Sequence, residues 1–284
     1  MHTWRKAVSS LSVNTNINAI GAFNNLSRTD HELTTSMNRL SSGLRVQTAA
    51  DDPAGFVVSQ YLSNQAGGYG VAVSNGQNAV SVLQVAMGAL NQSAQILQTM
   101  EQLATQSANG GAADATAQSA DQQEFSALQN ELDQIAHTTQ FGQTQLLDGT
   151  YNGTFQIGAY NATFDQISVS ISSAGSTALG VGVGAASVGN TVAAQSAITL
   201  VQTALSNLNA LSAKLGASQN EIQGIVANMT IGQQNLTAAA SSITDTNMAQ
   251  EMTQFTSKQI LMQTGESMLA QANAAPQLVL KLLG

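Results

Sequence analysis

Two adjacent carboxylates, Asp51 and Asp52, are where chemistry could begin, since neighbouring acids can share a proton or hold a divalent cation. A zinc site would draw instead on histidine and cysteine. The chain has no cysteine, and its three histidines, His2, His31 and His137, are scattered without a His-Glu-x-x-His spacing. Pro53 gives the acids a second reading: an aspartate at the N-cap followed by proline at the first helical position opens a helix. The helix start is the expected reading. No catalytic, metal-ligating or cofactor-binding residue is expected, and the chain reads as a non-enzyme. Asn152-Gly153-Thr154 and Asn161-Ala162-Thr163 match a glycosylation sequon, and asparagines in turns are the plainer account of both.

What the residues do specify is a set of helices. Val201, Leu208, Leu215, Ile222, Met229, Leu236 and Ile243 stand seven apart, a seam that commits a helix to wrapping a partner. A second row is uneven: Ile198, Leu205 and Val226 fit it, while Ser212, Gln219 and Gln233 interrupt it. Such a pattern suits a small intramolecular bundle better than a free zipper. At ~1.5–3 kcal/mol per buried large side chain the seam contributes at most roughly 10–20 kcal/mol.

Its partners lie in the first half. Val80, Leu83, Met87, Leu90, Ala94 and Leu97 alternate in steps of three and four, and Phe125, Leu128, Leu132 and Ile135 repeat the rhythm. Ser107 to Asp114 is a glycine-broken connection between them, and Ser119 with Gln122 forms a weak capping box for the next helix. A three-helix bundle results. Its longest member, from about Pro53 to Ala108, would span ~80 Å at 1.5 Å per residue.

Composition sets the limits. The 284 residues are only 8% charged, with a net charge of −8 and Lys6, Lys214, Lys258 and Lys281 as the lysines, so no basic stripe exists for nucleic acid. No apolar run is long enough to cross a membrane, and the start, "MHTWRKAVSSLSVNTN", lacks the apolar core of a secretory signal. In the middle, Leu146 to Gly149 reads as a turn. Ile167, Val169 and Ile171 alternate with serines at the strand period, with Phe155 and Ile157 as a facing strand. The stretch Gly175 to Gly189 reads as a flexible crossing, more loop than element.

At the N-terminal end Ile20, Phe23, Leu26, Leu33, Met37, Leu40 and Leu44 fall on one helical face, closed by Gly43. At the other end Met248, Met252, Phe255, Met262 and Leu269 keep the same rhythm, and "APQLVLKLLG", with Leu278 and Leu282, stays apolar to the last turn. Three stretches, "SVNTNINAIGAFNNL" (Ser12 to Leu26), "RLSSGLRVQTAADDPAG" (Arg39 to Gly55) and "SKQILMQTGESMLAQANAAPQLVLKLL" (Ser257 to Leu283), resemble bacterial flagellin. The resemblance runs from Ser12 to near the end, and the short segment Ala174 to Asn190 stands where many flagellins insert outer domains.

The resemblance implies a mainly α fold: an elongated, discontinuous rod of a three-helix coiled-coil-like bundle plus a terminal two-helix coiled coil, with a small β-hairpin. Residues 12–43 and 245–284 would form the inner terminal domain and 44–244 the rod, with the connector at 41–55, the hairpin at 148–172 and the Gly-rich crossing at 174–190. Subunit packing would fall to Ile20, Phe23, Leu26, Leu33, Met37, Leu40, Met252, Phe255, Met262, Leu269, Leu278 and Leu282, and the connector to Gly43, Arg45, Asp51, Asp52 and Pro53. The terminal segments would fold on assembly, because two helices cannot bury apolar residues at their own tip while offsetting ordering entropy of ~1–2 kcal/mol per residue. Arg39 and Arg45 could pair with Asp51 and Asp52 across subunits or within one, contributing ~0–1 kcal/mol if exposed. Met248, Met252 and Met262 read as packing in the polymer, as a changeable partner surface, or as both at different times.

The implied function is a structural subunit polymerising into an extracellular flagellar filament for swimming. Its implied partners are further copies of itself, an export chaperone at the C-terminal segment, the flagellar export apparatus, and cap and hook-associated proteins, with no cofactor, nucleic acid or membrane insertion. A hook–filament junction protein is the nearest alternative. Weak contact with an innate immune receptor is implied too: where stimulating flagellins carry Leu-Gln-Arg-x-Arg-Glu-Leu-Ala, this chain has Leu97 to Ala104 with Thr99 and Glu101 at the arginine positions, while Glu124 fits. Finally, residues 1–7, which hold the sole tryptophan, differ in composition from the rest of the chain, and Val8 is read as the translational start, with a genuine extension as the other reading.

Overall fold

The computed structural model describes residues 15–111 and 114–283, giving the backbone alone from 275 onward. Residues 1–11, including the expected start at Val8, and the side chains of Leu278 and Leu282 lie outside it. Caps and glycines set the helix ends. Helix α1 (Ile17–Ser42) opens at Asn16, whose side chain accepts the Ala19 N–H at 3.1 Å, and closes at Gly43, φ +75°, whose N–H reaches the Arg39 carbonyl at 2.8 Å. Helix α2 (Pro53–Ser107) begins at the proline, with Asp52 Oδ1 accepting the Gly55 N–H at 2.9 Å. Helix α3 (Ala115–Thr138) starts earlier than expected. Its cap is Asp114, accepting the Ala117 N–H at 2.7 Å, because a carboxylate beside a free first turn outcompetes Ser119, which is already inside the helix.

Beyond α3 come two antiparallel strand pairs rather than one hairpin. β1 (Gln140–Phe141) pairs with β2 (Thr144–Gln145), and β3 (Asn152–Gln156) with β4 (Gln166–Ser170), setting Phe155 opposite Ile167. One-turn helix α4 (Ser176–Leu179) follows, then α5 (Thr191–Thr244) and α6 (Met248–Leu283). The chain forms two compact units, Asn64–Leu236 and the remainder, Met1–Ser63 with Thr237–Gly284.

Within Asn64–Leu236, α2 and α5 run antiparallel, tied by Gln202 Nε2 donating to Glu101 Oε1 at 2.9 Å. Leu83, Leu90 and Leu97 of α2, Leu132 of α3 and Val201, Leu208, Leu215 and Ile222 of α5 are fully buried in one cluster, with Met87 and Leu128 half-buried against it. Further along the same seam Met229 and Leu236 are only half-buried, as is Ile243 in the other unit. Length explains the fading. α3 has 24 residues to the 55 of α2, roughly 36 Å against 82 Å, so it can cover less than half of its neighbour. Below that point the two long helices close together through glycines: a Cβ at Gly76 would collide with Val226 Cγ2. Ala194, Ala197 and Ala204, fully buried, form a small-residue row invisible to a search for large apolar side chains.

The expected flexible crossing is instead part of the core. Leu179, Val181, Ala186 and Val188 are buried, and their backbone is held by polar side chains of α3. Gln129 Nε2 donates to the Val181 and Ala186 carbonyls at 2.7 and 3.1 Å, Gln122 Oε1 accepts the Val188 N–H at 2.6 Å, and Asp133 accepts the Ser176 N–H and hydroxyl at 2.7 and 2.8 Å. A buried irregular segment must satisfy its backbone groups somewhere, and α3 does so. Leu146 and Leu147, expected in a turn, are likewise fully buried, while the turn itself is made at Gly149, φ +91°. Leu208→Ala should therefore cost about 2–5 kcal/mol in urea unfolding and Met229→Ala clearly less, and equal losses would contradict the fading of the third helix.

Candidate functional site

Within the unit that joins the chain ends, α1 and α6 pack antiparallel. Their shared seam runs through Ala22, Leu26, Thr29, Leu33, Ser36 and Leu40 on one side and Phe255, Lys258, Met262, Gly265 and Leu269 on the other, large residues alternating with small. Lys258 Nζ donates to Ser36 Oγ at 3.2 Å, Asn16 Nδ2 to the Ala272 carbonyl at 2.7 Å, and a Cβ on Gly265 would stand 3.1 Å from Leu26 Cδ1. Glu251, in the first turn of α6, is 5% exposed, where the helix N-terminus favours a carboxylate.

The expected single apolar face of α1 is in fact two stripes. Leu26, Leu33 and Leu40 turn toward α6 and are half-buried, whereas Ile20, Phe23 and Met37 stay 51%, 59% and 54% exposed. The physical reason is the seam's width: one partner helix covers a stripe, and residues such as Phe23, three before Leu26, sit about 60° round from it. On α6 the same split leaves Met248, Met252, Ile260, Leu261 and Met268 exposed. Exposed apolar area of this extent marks an interaction surface.

The connector between α1 and α2 lies against the end of α5. The Arg45 and Val46 N–H groups reach the Thr244 carbonyl at 2.6 and 3.2 Å, and Leu44 bridges Asp245. The Thr246 N–H returns to the Gly43 carbonyl at 2.9 Å. Neither acid of the connector is a candidate for proton chemistry. Asp52 caps α2, and Asp51 Oδ2 accepts from the Thr48 N–H at 2.9 Å, the Thr48 hydroxyl at 3.0 Å and the Gln47 N–H at 3.2 Å. Arg45 donates its guanidinium to the Ile243 carbonyl and reaches no acid. Among the described residues no group of three or more His, Cys, Asp or Glu side chains could hold a metal ion, and no helix is long and apolar enough to cross a membrane.

The hydrogen bonds from Thr48, first from its backbone and then its hydroxyl, and that from Gln47 hold the Asp51 carboxyl below its ordinary value of 3.8. A depressed folded-state pKa contributes stability above 3.8 that is lost as pH falls through the lower folded value. The connector turn should thus hold at neutral pH and loosen only in acid below 3.8, followed by the Thr48 amide shift in an NMR titration. Asp51→Asn should speed Thr48 amide exchange at neutral pH, and unchanged exchange would show that the carboxylate does not hold the turn.

Comparison with known proteins bears on the same elements. A family model described as the bacterial flagellin N-terminal helical region matches residues 13–152, and one for the bacterial flagellin C-terminal helical region matches residues 198–283. Flagellin of Bacillus subtilis (strain 168) is 38% identical over 305 aligned residues, covering 96% of this chain and 100% of that protein. The flagellar filament 33 kDa core protein of Treponema phagedenis is 37% identical over 287, covering 95% and 99%. A solved flagellin from Bacillus cereus aligns at a TM-score of 0.49 and 28% identity, covering 59% of this chain and 94% of that one. A putative flagellar hook-associated protein from Vibrio parahaemolyticus aligns at 0.57 and 12% identity over 69% of this chain and 100% of its own, a likeness of fold alone. Helical regions matched at both ends and relatives above 30% identity along nearly the whole chain make this protein a member of the bacterial flagellin family.

Proposed function

We propose that the chain works by lending its unfinished terminal hairpin to neighbouring copies. As a flagellin it is a structural protein, the subunit of an extracellular flagellar filament used for swimming, and no feature favours the hook–filament junction. The observation that carries the mechanical reading is the exposed row Ile20, Phe23, Met37, Met248 and Met252 on two helices whose seam is already filled. Burying each large side chain in a neighbour contributes ~1.5–3 kcal/mol, so assembly supplies what the isolated hairpin lacks. In this reading residues 12–43 and 245–284 form the inner layer, 44–244 the outer, and folding of the ends is coupled to polymerisation.

Before assembly the same α6 surface would be held by an export chaperone, methionine side chains adapting to successive partners. Passage through the export apparatus and contacts with cap and hook-associated proteins belong to the same proposal. Immune-receptor contact would be weak, because Thr99 is an exposed hydroxyl and Glu101 a half-buried acid where arginines are expected, Glu101 accepting from Gln202. Losing two cationic donors and reversing one sign removes the charge-assisted bonds such a contact would use.

Seeded polymerisation of the purified chain, followed by sedimentation, is the direct test. Phe23→Ser with Met252→Ser should leave the chain soluble and assembly-deficient, and filaments at parental concentration would refute the role of the exposed row. In dilute monomer, amide exchange beyond Asp245 should be fast and should slow on assembly. Monomer applied to receptor reporter cells should signal weakly, and full-strength signalling would overturn that part.

A further inference from the structure

The flank of the α1–α6 hairpin facing away from Phe23 carries an open groove of about 810 Å³, floored by Gly21 and Ala22 of α1 and Gly265 of α6. A Cβ at Gly21 would meet nothing within 4 Å, so a side chain from outside could enter there. Leu261 and Met268, 56% and 61% exposed, form one lip, and Arg28 lies at one end, its guanidinium 3.5 Å from Asn25 Oδ1.

The ridge that would fill such a groove stands on the opposite flank. Residues two apart on a helix are about 200° apart around it, which puts Phe23 behind Gly21 and Asp30 behind Arg28. Gly21 and Arg28 are seven residues apart, and so are Phe23 and Asp30. Each pair therefore lies along one stripe with the same separation of about 10.5 Å. The charges agree with the shapes. Arg28 is exposed on the groove flank, though Glu32 follows it there one turn on. Asp30 is exposed on the ridge flank, where the α6 periodicity also sets exposed Glu266.

We infer that the groove receives Phe23 of a second copy of this chain while Asp30 of that copy meets Arg28. This rests on the filament reading and specifies one of its contacts. The order of the two stripes requires the copies to run parallel, since an antiparallel neighbour that seats Phe23 carries Asp30 away from Arg28. Ridge and groove on opposite flanks cannot satisfy each other within a two-fold dimer. The contact is heterologous, and each copy it recruits offers a fresh ridge or groove to the next.

Charge exchange tests it on the full chain. Arg28→Asp and Asp30→Arg should each raise the critical concentration for seeded polymerisation about tenfold, and the double variant should return to within about twofold of the parent. Single variants that assemble like the parent, or a double variant no better than the worse single, would overturn the inference. Because the chain has no cysteine, a second measurement is clean. Filaments grown from equal parts Arg28→Cys and Asp30→Cys chains should form an interchain disulfide on mild oxidation, and filaments of either alone should not. Absence of the mixed disulfide, or its equal formation in the single-variant filaments, would also overturn it. If the parental chain itself failed to polymerise, the filament reading would fall and this contact with it. Parental filaments with a failed charge exchange would remove the contact alone.

Discussion

Two helices share one seam, and that limit governs the ends of this chain. A pair can bury a stripe on each member and no more. Here the stripe is used by Leu26, Leu33 and Leu40 against Phe255, Met262 and Leu269, leaving Ile20, Phe23, Met252 and Met268 about half exposed among the described residues. The surplus is not an irregularity to be tolerated. In the filament reading proposed above it is a portion of a core shared among molecules, so a property that would make an isolated domain prone to aggregation becomes the means of ordered growth.

The other unit solves the opposite problem with few charges. Only 8% of the chain is charged, so neither ion pairs nor a thick apolar core can do all the fixing. Amides take the place of salt bridges. Gln129, 1% exposed, closes two carbonyls of a segment that has almost no regular structure, and Gln122 and Asp133 hold its two ends. Hydrogen bonds of this kind contribute modestly when made, and an unmet buried carbonyl costs more, about 1–3 kcal/mol. The crossing is therefore specified by α3 as much as by its own sequence.

Periodicity read well and local context did not. The seam at Val201, Leu208, Leu215 and Ile222 was visible because large apolar residues at a fixed spacing have one explanation. Its decline at Met229 was not, since the spacing continues while the third helix has ended. The start of α3 was misplaced because a capping box and a lone capping aspartate compete, and Asp114 has the better position. Burial of Leu179, Val181 and Val188 was hidden by the glycines and serines around them, and nothing in that stretch announces Gln129, which lies some fifty residues away on another element. At the ends, the family resemblance named the packing residues as one face. Dividing that face into inward and outward stripes required knowing which side the single partner helix takes.

The link at Gly43 to Pro53 has a mechanical side. Chain leaves α1 through this connector and reaches α6 through Asp245 to Asn247, and the two passages are stitched by Arg45 and Val46 to Thr244 and by Thr246 to Gly43. One strand of backbone is a swivel, because single bonds along it turn at little cost. Two strands cross-linked by hydrogen bonds, one of them braced by Asp51, resist rotation about their common direction. A propeller fibre is driven from its base, and twist must pass along it subunit by subunit. The doubled link therefore opposes a twist that a single strand would let through.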